Sequence, residues 1–288
     1  KTSKLGDVIE LTATFTSAVN VTGAPTIAGT VNTTTGPKAA TFAYVSGSGT
    51  TALKFRYTVV ANDLDTDGID VAGQLVGTVN DLAGNAVGTA FTPPTTTAVL
   101  VDGVVPTVSG VTVPSAGVYT STGTKDLDFT VNFNDAVAIV TTGGTPTLAI
   151  TIGGVNRQAV YNAAASDLTN GKVVFRYSVT SADSASGATG SVTVGAISLG
   201  GGTIRDTNGN DATLAFTAPT VTGVIVNRLA ATVTVTNGLP TAPATTKTSK
   251  LGDVIELTAT FTSAVNVTGA PTIAGTVNTT TGPKAATF

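Results

Sequence analysis

The chain has 288 residues, with 59 threonines and no cysteine, histidine, methionine or tryptophan. The missing residue types exclude a Ser–His–Asp triad, a thiol nucleophile, disulfides and zinc held by cysteine or histidine. A net charge of −3 with 14 Lys and Arg residues gives no basic surface for nucleic acid, which we therefore exclude as a partner. No apolar run approaches the ~18 residues of a transmembrane helix, so we expect no membrane span in this segment.

Two internal repeats organise the chain. Residues 247–288 are identical to residues 1–42, so the period from Lys1 to Lys247 is 246 residues. A more divergent repeat inside this period pairs FRYTV with FRYSV and DLAGN with DTNGN. We therefore predict three units: module A at 1–103, whose first strand is missing, module B at 104–228, and the incomplete first part of the next module A at 229–288.

The ends of the chain do not coincide with these units. The strand before Lys1 that would correspond to Ala230–Val235 is missing, and the last unit stops at Phe288. We hypothesise that the chain was cut from a longer array, or that neighbouring chains complete its ends. Neighbouring copies of the same repeat are therefore the expected partners, and lateral self-association is a further expectation.

Apolar and polar residues alternate through most of the chain. The alternation begins at 9–15, returns at 53–59, and recurs in module B at 127–133 and 173–179. Period-two alternation, rich in β-branched threonine, predicts half-buried strands. Module B is predicted to hold seven strands, near 107–113, 127–134, 147–152, 158–161, 172–180, 191–199 and 214–226.

Seven short strands in ~120 residues predict an all-β fold made of tandem immunoglobulin-like β-sandwich modules. The Cys…Trp…Cys pattern of antibody domains is absent. The likeness therefore concerns the architecture alone.

The runs FRYTVVANDLDTDGI (Phe55–Ile69) and VNDLAGNAV (Val79–Val87) resemble the tandem bacterial Ig-like repeats of giant surface proteins. Such proteins include secreted adhesins and cyanobacterial cell-surface proteins associated with swimming. Module B departs from the pattern where SADSASGAT (Ser181–Thr189) replaces NDLDTDGID. The resemblance implies an extracellular, stalk-like or adhesive bacterial protein, and it implies no particular ligand.

An acidic turn in module A is the sharpest local pattern. Asp63, Asp65, Asp67 and Asp70 surround Gly68, in the spacing of the first half of an EF-hand loop. Gln74 stands where the closing Glu of such a loop would be. The two readings are a Ca²⁺ site and a solvated turn between strands, and Ca²⁺ is the only cofactor that the sequence suggests.

A second candidate for Ca²⁺ is Asp102, in the junction between modules A and B. The equivalent junction after module B carries Asn227 and Arg228, and an arginine places a cation where the metal would lie. The alternative is that Pro106 and an extended junction set the angle between modules without metal.

Other polar patterns have structural interpretations. The turns that begin at Asp81 and Asp206 are predicted to be closed by Asp side chains and Gly. Tyr57 and Tyr177 are predicted to face the core and reach a backbone partner with the hydroxyl. Arg56 and Arg176 are predicted to be solvated on the outer face.

Asn20 and Asn32 each begin an Asn-x-Thr triplet, the acceptor pattern for N-glycosylation. In a chain so rich in Asn and Thr, such triplets also arise by chance.

No catalytic constellation is present in the sequence, so we predict that the chain is not an enzyme. The leading hypothesis is a structural or adhesive segment of a long extracellular protein that forms a stalk, fibre or filament. Two alternatives stay open: a self-assembling sheath or surface-layer subunit, and a module that binds a glycan or protein through its loops.

Overall fold

The structure is a computed structural model that describes residues 2–121, 123–180, 183, 190–226, 233–237, 254–261, 265 and 267–287. Within these residues the protein is nearly all β. The all-β prediction is therefore confirmed at this level. Two single-turn 3₁₀ helices, Ala163–Ala165 and Leu168–Asn170, lie in the second half of the chain.

The strands of module A are β1 (Ser3–Lys4), β2 (Val8–Thr33), β3 (Gly36–Ser46), β4 (Thr50–Thr58), β5 (Leu64–Asp65), β6 (Asp70–Asp81) and β7 (Val101–Asp102). Those of module B are β8 (Val108–Thr112), β9 (Gly117–Tyr119), β10 (Asp126–Phe133), β11 (Ala138–Val140), β12 (Thr147–Ile152), β13 (Val155–Tyr161), β14 (Lys172–Ser178), β15 (Gly190–Ser198), β16 (Thr203–Arg205) and β17 (Val224–Val226). The strands that follow are β18 (Val233–Asn237), β19 (Leu257–Phe261), β20 (Ala274–Thr279) and β21 (Gly282–Thr287).

Module A contains two sheets. One has the order β3-β4-β2-β6, and β2 and β3 also pair directly along the turn that joins them. The other has the order β1-β7-β5, in which β1 and β7 are parallel. The two chain ends of module A therefore lie side by side.

Module B contains an eight-stranded sheet with the order β8-β10-β14-β13-β12-β15-β17-β9, and a separate pair, β11-β16. At one edge of this sheet β17 and β9 are parallel, as β1 and β7 are in module A. The strands after module B form two pairs, β18-β19 and β20-β21.

The buried apolar residues form two separate clusters. The members of one cluster come from residues 9 to 101 of the sequence and include Phe42, Leu53 and Phe55. The other lies between Tyr119 and Val226. The inward positions alternate along β10, where Leu127, Phe129, Val131 and Phe133 are all buried, as the period-two pattern predicts.

The divergent sequence repeat is also a structural repeat. Leu11 on β2 faces Phe55 on β4, and Phe129 on β10 faces Phe175 on β14. These are the residues that the sequence repeat aligns. The same strand pair therefore forms the centre of both modules.

One predicted strand is shorter than expected. Of the predicted 214–226, only Val224–Val226 is a strand. The preceding segment packs Leu214, Phe216 and Val221 against the core without joining a ladder. Pro219 in its middle has no N–H to donate.

No helix among the described residues is long and apolar enough to cross a membrane.

Candidate functional site

A buried carboxylate closes the turn after β4. Asp63 is 0% exposed, and its Oδ2 accepts hydrogen bonds from the Tyr57 hydroxyl and from the Val60 N–H, the latter at 3.0 Å. Its Oδ1 forms an ion pair with Lys38 Nζ. The tyrosine thus reaches a side-chain carboxylate, where the sequence predicted a backbone partner.

Module B repeats this arrangement around Asp183. The carboxylate accepts from the Tyr177 hydroxyl, at 2.7 Å to Oδ1, and from the Thr180 N–H, at 2.7 Å to Oδ2. Arg157 Nε donates to Oδ1 at 2.7 Å, in the role that Lys38 has in module A. Each module therefore anchors the end of its central strand with a tyrosine, a carboxylate six residues later and a cation from another strand.

The electrostatics of these anchors follow from burial and hydrogen bonding. Burial, together with the neighbouring Asp63, raises the pKa of Tyr57. Burial and Asp183 likewise raise the pKa of Tyr177. Burial opposes ionisation of Asp183, but hydrogen bonds from Thr180, Tyr177 and Arg157 outweigh it and lower the pKa of that carboxyl.

The other acidic residues of the module A turn point to different partners. Asp65 is buried and accepts from the N–H groups of Asn32 and Gly68, both at 2.8 Å. Asp67 is exposed, and its Oδ1 accepts from Asn32 Nδ2 at 3.1 Å. Asp70 is exposed at the start of β6.

The acidic turn is thus braced by donors of its own module. Across the part of the chain that the structure describes, no three Asp, Glu, His or Cys side chains are placed to hold a metal ion together. Calcium binding at the turn and at Asp102 stays a prediction, which a calorimetric Ca²⁺ titration into the millimolar range tests.

A second buried polar cluster lies where module A meets module B. Asn208 Nδ2 donates to Asp102 Oδ2 at 2.6 Å. Asn210 is 2% exposed, and its Nδ2 donates to the main-chain oxygen of Asp102 at 3.0 Å. Its Oδ1 accepts from the Leu5 N–H at 2.8 Å. We call Leu5, Asp102, Asp206, Asn208 and Asn210 the A–B joint.

The turn of the A–B joint is rigid because its own side chains hold it closed. Asp206 Oδ1 accepts from three successive N–H groups, those of Asn208, Gly209 and Asn210, at 2.6–2.9 Å. Asn210 Nδ2 also donates to Asp206 Oδ2 at 2.7 Å. The turn therefore holds the Asn210 amide in place before it meets module A, whereas the Asn208 amide bonds to Asp102 of module A.

Module A carries the same turn at Asp81–Asn85. Asp81 Oδ1 accepts from the N–H groups of Ala83 and Asn85, and Asn85 Nδ2 donates to Asp81 Oδ2 at 2.9 Å. The side-chain hydrogen bond from Asn85 is the main reason that the pKa of Asp81 is lowered. The turn prediction was correct for both segments, but the sequence did not indicate that one of them joins the modules.

The backbone at Gly103 lies close to the backbone of Val60 and Asp63 and so stabilises the junction. The Gly103 N–H donates to Asp63 O at 2.6 Å, so the junction is tied to the Asp63 anchor. A Cβ on Gly103 would lie 2.2 Å from the carbonyl oxygen of Val60. Only glycine fits here. The equivalent residues Asn227 and Arg228 lie outside the described part of the chain.

The arginines on the outer face form ion pairs across the central strands. Glu10 lies opposite Arg56, and its carboxylate contacts Arg56 and Lys54 at 2.9 and 2.8 Å. Asp128 lies opposite Arg176, which donates to it from Nε and Nη2, both at 2.6 Å. These pairs are exposed to solvent, which screens them, so they contribute little to stability.

The two predicted glycosylation residues differ in environment. Asn20 is exposed on β2. Asn32 is half-buried, and its Nδ2, the atom that would carry an N-linked glycan, donates to Asp67. Glycosylation at both residues stays a prediction.

The sequence missed Asn208 and Asn210 as joint residues. One difference between the two turns could have indicated the joint: module B has an asparagine at 208, where the turn of module A has Ala83. An amide is useful there only if another chain segment is present to accept its hydrogen bond.

Comparison of the chain with protein-family models, with curated proteins and with solved structures gives no match.

Proposed function

We propose that the chain is a structural repeat segment of a long extracellular surface protein. In this proposal Ig-like β-sandwich modules are joined end to end into a stalk, fibre or filament, and neighbouring copies of the repeat are their partners. The observation that carries the proposal is the A–B joint, a buried polar contact that holds one module on the next.

A joint of this kind suits a spacer more than a flexible linker. Asp102, Asp206 and Asn210 are all at most 7% exposed, and their polar atoms are hydrogen-bonded across or within the junction. Separating the modules would exchange these hydrogen bonds for bonds to water, so each one stabilises the closed joint by about 0.5–1.5 kcal/mol. The relative orientation of the modules is therefore expected to persist in solution.

Two further observations support the module assignment. The apolar core divides into two clusters, and each module centres on an equivalent antiparallel strand pair. Both features are expected of tandem β-sandwiches.

The buried ionisable groups also favour a structural role. The carboxylate oxygens of Asp63 and Asp183 accept hydrogen bonds from donors of their own module. Carboxylates committed in this way are strand anchors, and the proposal assigns them no catalytic role. The bacterial and extracellular setting rests on the resemblance of Phe55–Ile69 and Val79–Val87 and on the absence of Cys and Met.

Immunogold labelling of intact cells that make the protein tests this function. The proposal predicts label outside the cell envelope, along threads or fibres, and its loss after mild protease treatment of intact cells. Permeabilised cells serve as the control for total protein. Label confined to permeabilised cells would contradict the proposal.

A further inference from the structure

The A–B joint contains an asparagine that is followed directly by a glycine. The dipeptide Asn-Gly occurs at 170–171, 208–209 and 237–238 of the sequence. The copy at 208–209 lies in the turn of module B that contacts module A. The equivalent turn of module A has Ala83 in place of Asn208, so this dipeptide is a feature of the module B turn alone.

An asparagine before a glycine can react with its own backbone. Glycine has no Cβ, so its main-chain nitrogen can approach the preceding side chain closely. The Gly209 nitrogen would lose its proton to solvent and bond to Cγ of Asn208. The bond from Cγ to Nδ2 would break, and Nδ2 would take a proton from solvent and leave as ammonia. The product of this step is a five-membered cyclic imide.

Water would then open the imide ring. Addition of water at Cγ gives an aspartate at 208. Addition at the main-chain carbonyl carbon gives an isoaspartate, in which the chain continues through Cβ and Cγ. The net change is the loss of ammonia and the gain of water, without oxidant or reductant. Either product carries a carboxylate in place of the neutral amide.

The amide of Asn208 is part of the contact between the modules. Its Nδ2 donates to Asp102 Oδ2 at 2.6 Å. Asp102 is 7% exposed, whereas Asn208 is exposed, so water reaches the asparagine. The atom that would leave as ammonia is therefore the atom that donates to module A.

Conversion of Asn208 would replace an attraction by a repulsion. A carboxylate at 208 has no proton to donate, and it would face the carboxylate of Asp102 where a hydrogen bond now lies. Like charges at such a separation destabilise each other. Because Asp102 is buried, salt screens this pair less than it screens an exposed pair. The new charge would therefore favour separation of the modules.

The isoaspartate product would also distort the turn. Asp206 Oδ1 accepts from the N–H groups of Asn208, Gly209 and Asn210. An additional carbon in the main chain before Gly209 changes the spacing of these three donors, so one oxygen can no longer accept from all of them. Asn210 would be displaced with the turn, and it is the residue that donates to the main-chain oxygen of Asp102.

The closed turn slows the first step. The Gly209 N–H, whose proton must be lost, donates to Asp206 Oδ1 at 2.6 Å. Because the acceptor is charged, breaking this hydrogen bond should slow the reaction by roughly 10- to 100-fold relative to the denatured chain. The turn therefore delays the reaction without preventing it.

We propose that Asn208 is a deamidation site, and that its conversion releases the A–B joint. A newly made chain would hold its two modules in one orientation, and an aged chain would hold them loosely. The inference goes beyond the proposed function, because it depends on the joint and not on the location of the protein.

Ageing of the full chain tests the reaction. The chain is incubated in mildly alkaline buffer, both folded and in guanidinium chloride, and conversion at each Asn-Gly is followed by peptide mass spectrometry. We expect Asn208 of the folded chain to give aspartate and isoaspartate, roughly 10- to 100-fold more slowly than in the denatured chain. If Asn208 of the folded chain stayed intact well beyond ~100 half-times of the denatured chain, the inference would be overturned.

A matched pair of variants tests the effect on the joint. Asn208→Asp introduces the aspartate product directly. The control is Asn170→Asp, because Asn170 is also exposed and also donates from Nδ2 to an aspartate, but to Asp167 of its own turn, at 2.7 Å. Both variants add one negative charge to module B.

The readout is the distance between a spin label on each module, at Val76→Cys and Val160→Cys. Both positions are exposed, and the chain has no native cysteine. We expect Asn208→Asp to broaden the distance distribution and Asn170→Asp to leave it unchanged. Aged material converted at 208, separated by anion exchange, should broaden it as well. Equal distributions for the two variants would contradict the proposal. A chain that labels the cell exterior, yet keeps a narrow distribution after conversion at 208, would overturn this inference alone.

Discussion

Asn210 Nδ2 donates a hydrogen bond of 3.0 Å to the main-chain oxygen of Asp102, 108 residues earlier in the chain. The same amide closes its own turn on Asp206 and accepts from the N–H of Leu5 through its oxygen. A single side chain therefore ties the turn of module B to both chain ends of module A.

Replacing Asn210 by alanine is expected to weaken this tie. The change leaves buried groups of Asp102, Asp206 and Leu5 without their partner, so we expect a loss of about 1–3 kcal/mol in the free energy of unfolding. Urea denaturation measures it. Asn85→Ala is the matched control, because it removes the same turn-closing amide at an exposed position. Equal losses in the two variants would show that the contact between modules contributes nothing.

The Asp63 anchor is expected to stabilise module A. Asp63→Asn keeps the shape but removes the charge that accepts from Tyr57, Val60 and Lys38, and we expect a loss of about 1–3 kcal/mol. The control is Asp67→Asn, at an exposed carboxylate, which should change stability by less than ~0.5 kcal/mol. If Asp63→Asn left the free energy of unfolding unchanged, Asp63 would not be an anchor.

Acid should weaken module B through Asp183. Hydrogen bonds hold the pKa of this carboxyl below its usual value, so the folded state binds the proton less readily than the unfolded state. The stabilisation is therefore complete above the unfolded pKa of about 4 and is lost as pH falls through the lower folded pKa. Urea midpoints between pH 2 and 6 measure this slope. Asp183→Asn should flatten it, and an unchanged slope would contradict the assignment.

Gly103 is expected to tolerate no side chain. A Cβ there would meet the carbonyl oxygen of Val60 at 2.2 Å, so Gly103→Ala should cost at least ~1–3 kcal/mol through displacement of the backbone. Gly88→Ala is the control, since nothing lies within 4 Å of its Cβ position. Thermal unfolding compares the two. Similar melting temperatures would show that the junction adjusts freely.

Seven of the ten strands of module B were predicted from the sequence, whereas β9, β11 and β16, of three residues each, were not. The contacts between strands were harder to predict than the strands. Alternation at 127–133 predicts β10 because one face of that strand is buried along its whole length. The segment 214–226 is also rich in apolar residues and threonine, yet most of it lacks a ladder. Pro219 in its middle has no N–H to donate. The composition of a segment indicates whether it is buried, but it does not indicate which strand pairs with it.

The candidate sites show a similar division. The sequence shows that Asp183 of module B corresponds to Asp63 in the acidic turn of module A. It also shows that Tyr57 and Tyr177 occupy matching inward positions. That the tyrosine meets the carboxylate six residues later depends on how the chain turns after β4 and β14. The A–B joint depends on a contact across more than 100 residues, which the spacing of residues does not encode.

The distance between the modules in solution is the most direct test of the central claim, that the A–B joint fixes one module on the next. Val76→Cys and Val160→Cys place one spin label on each module, at exposed positions in a chain without other cysteines. Double electron–electron resonance should give one narrow distance distribution, which broadens when Asn210→Ala is added. A broad distribution that Asn210→Ala leaves unchanged would contradict the account.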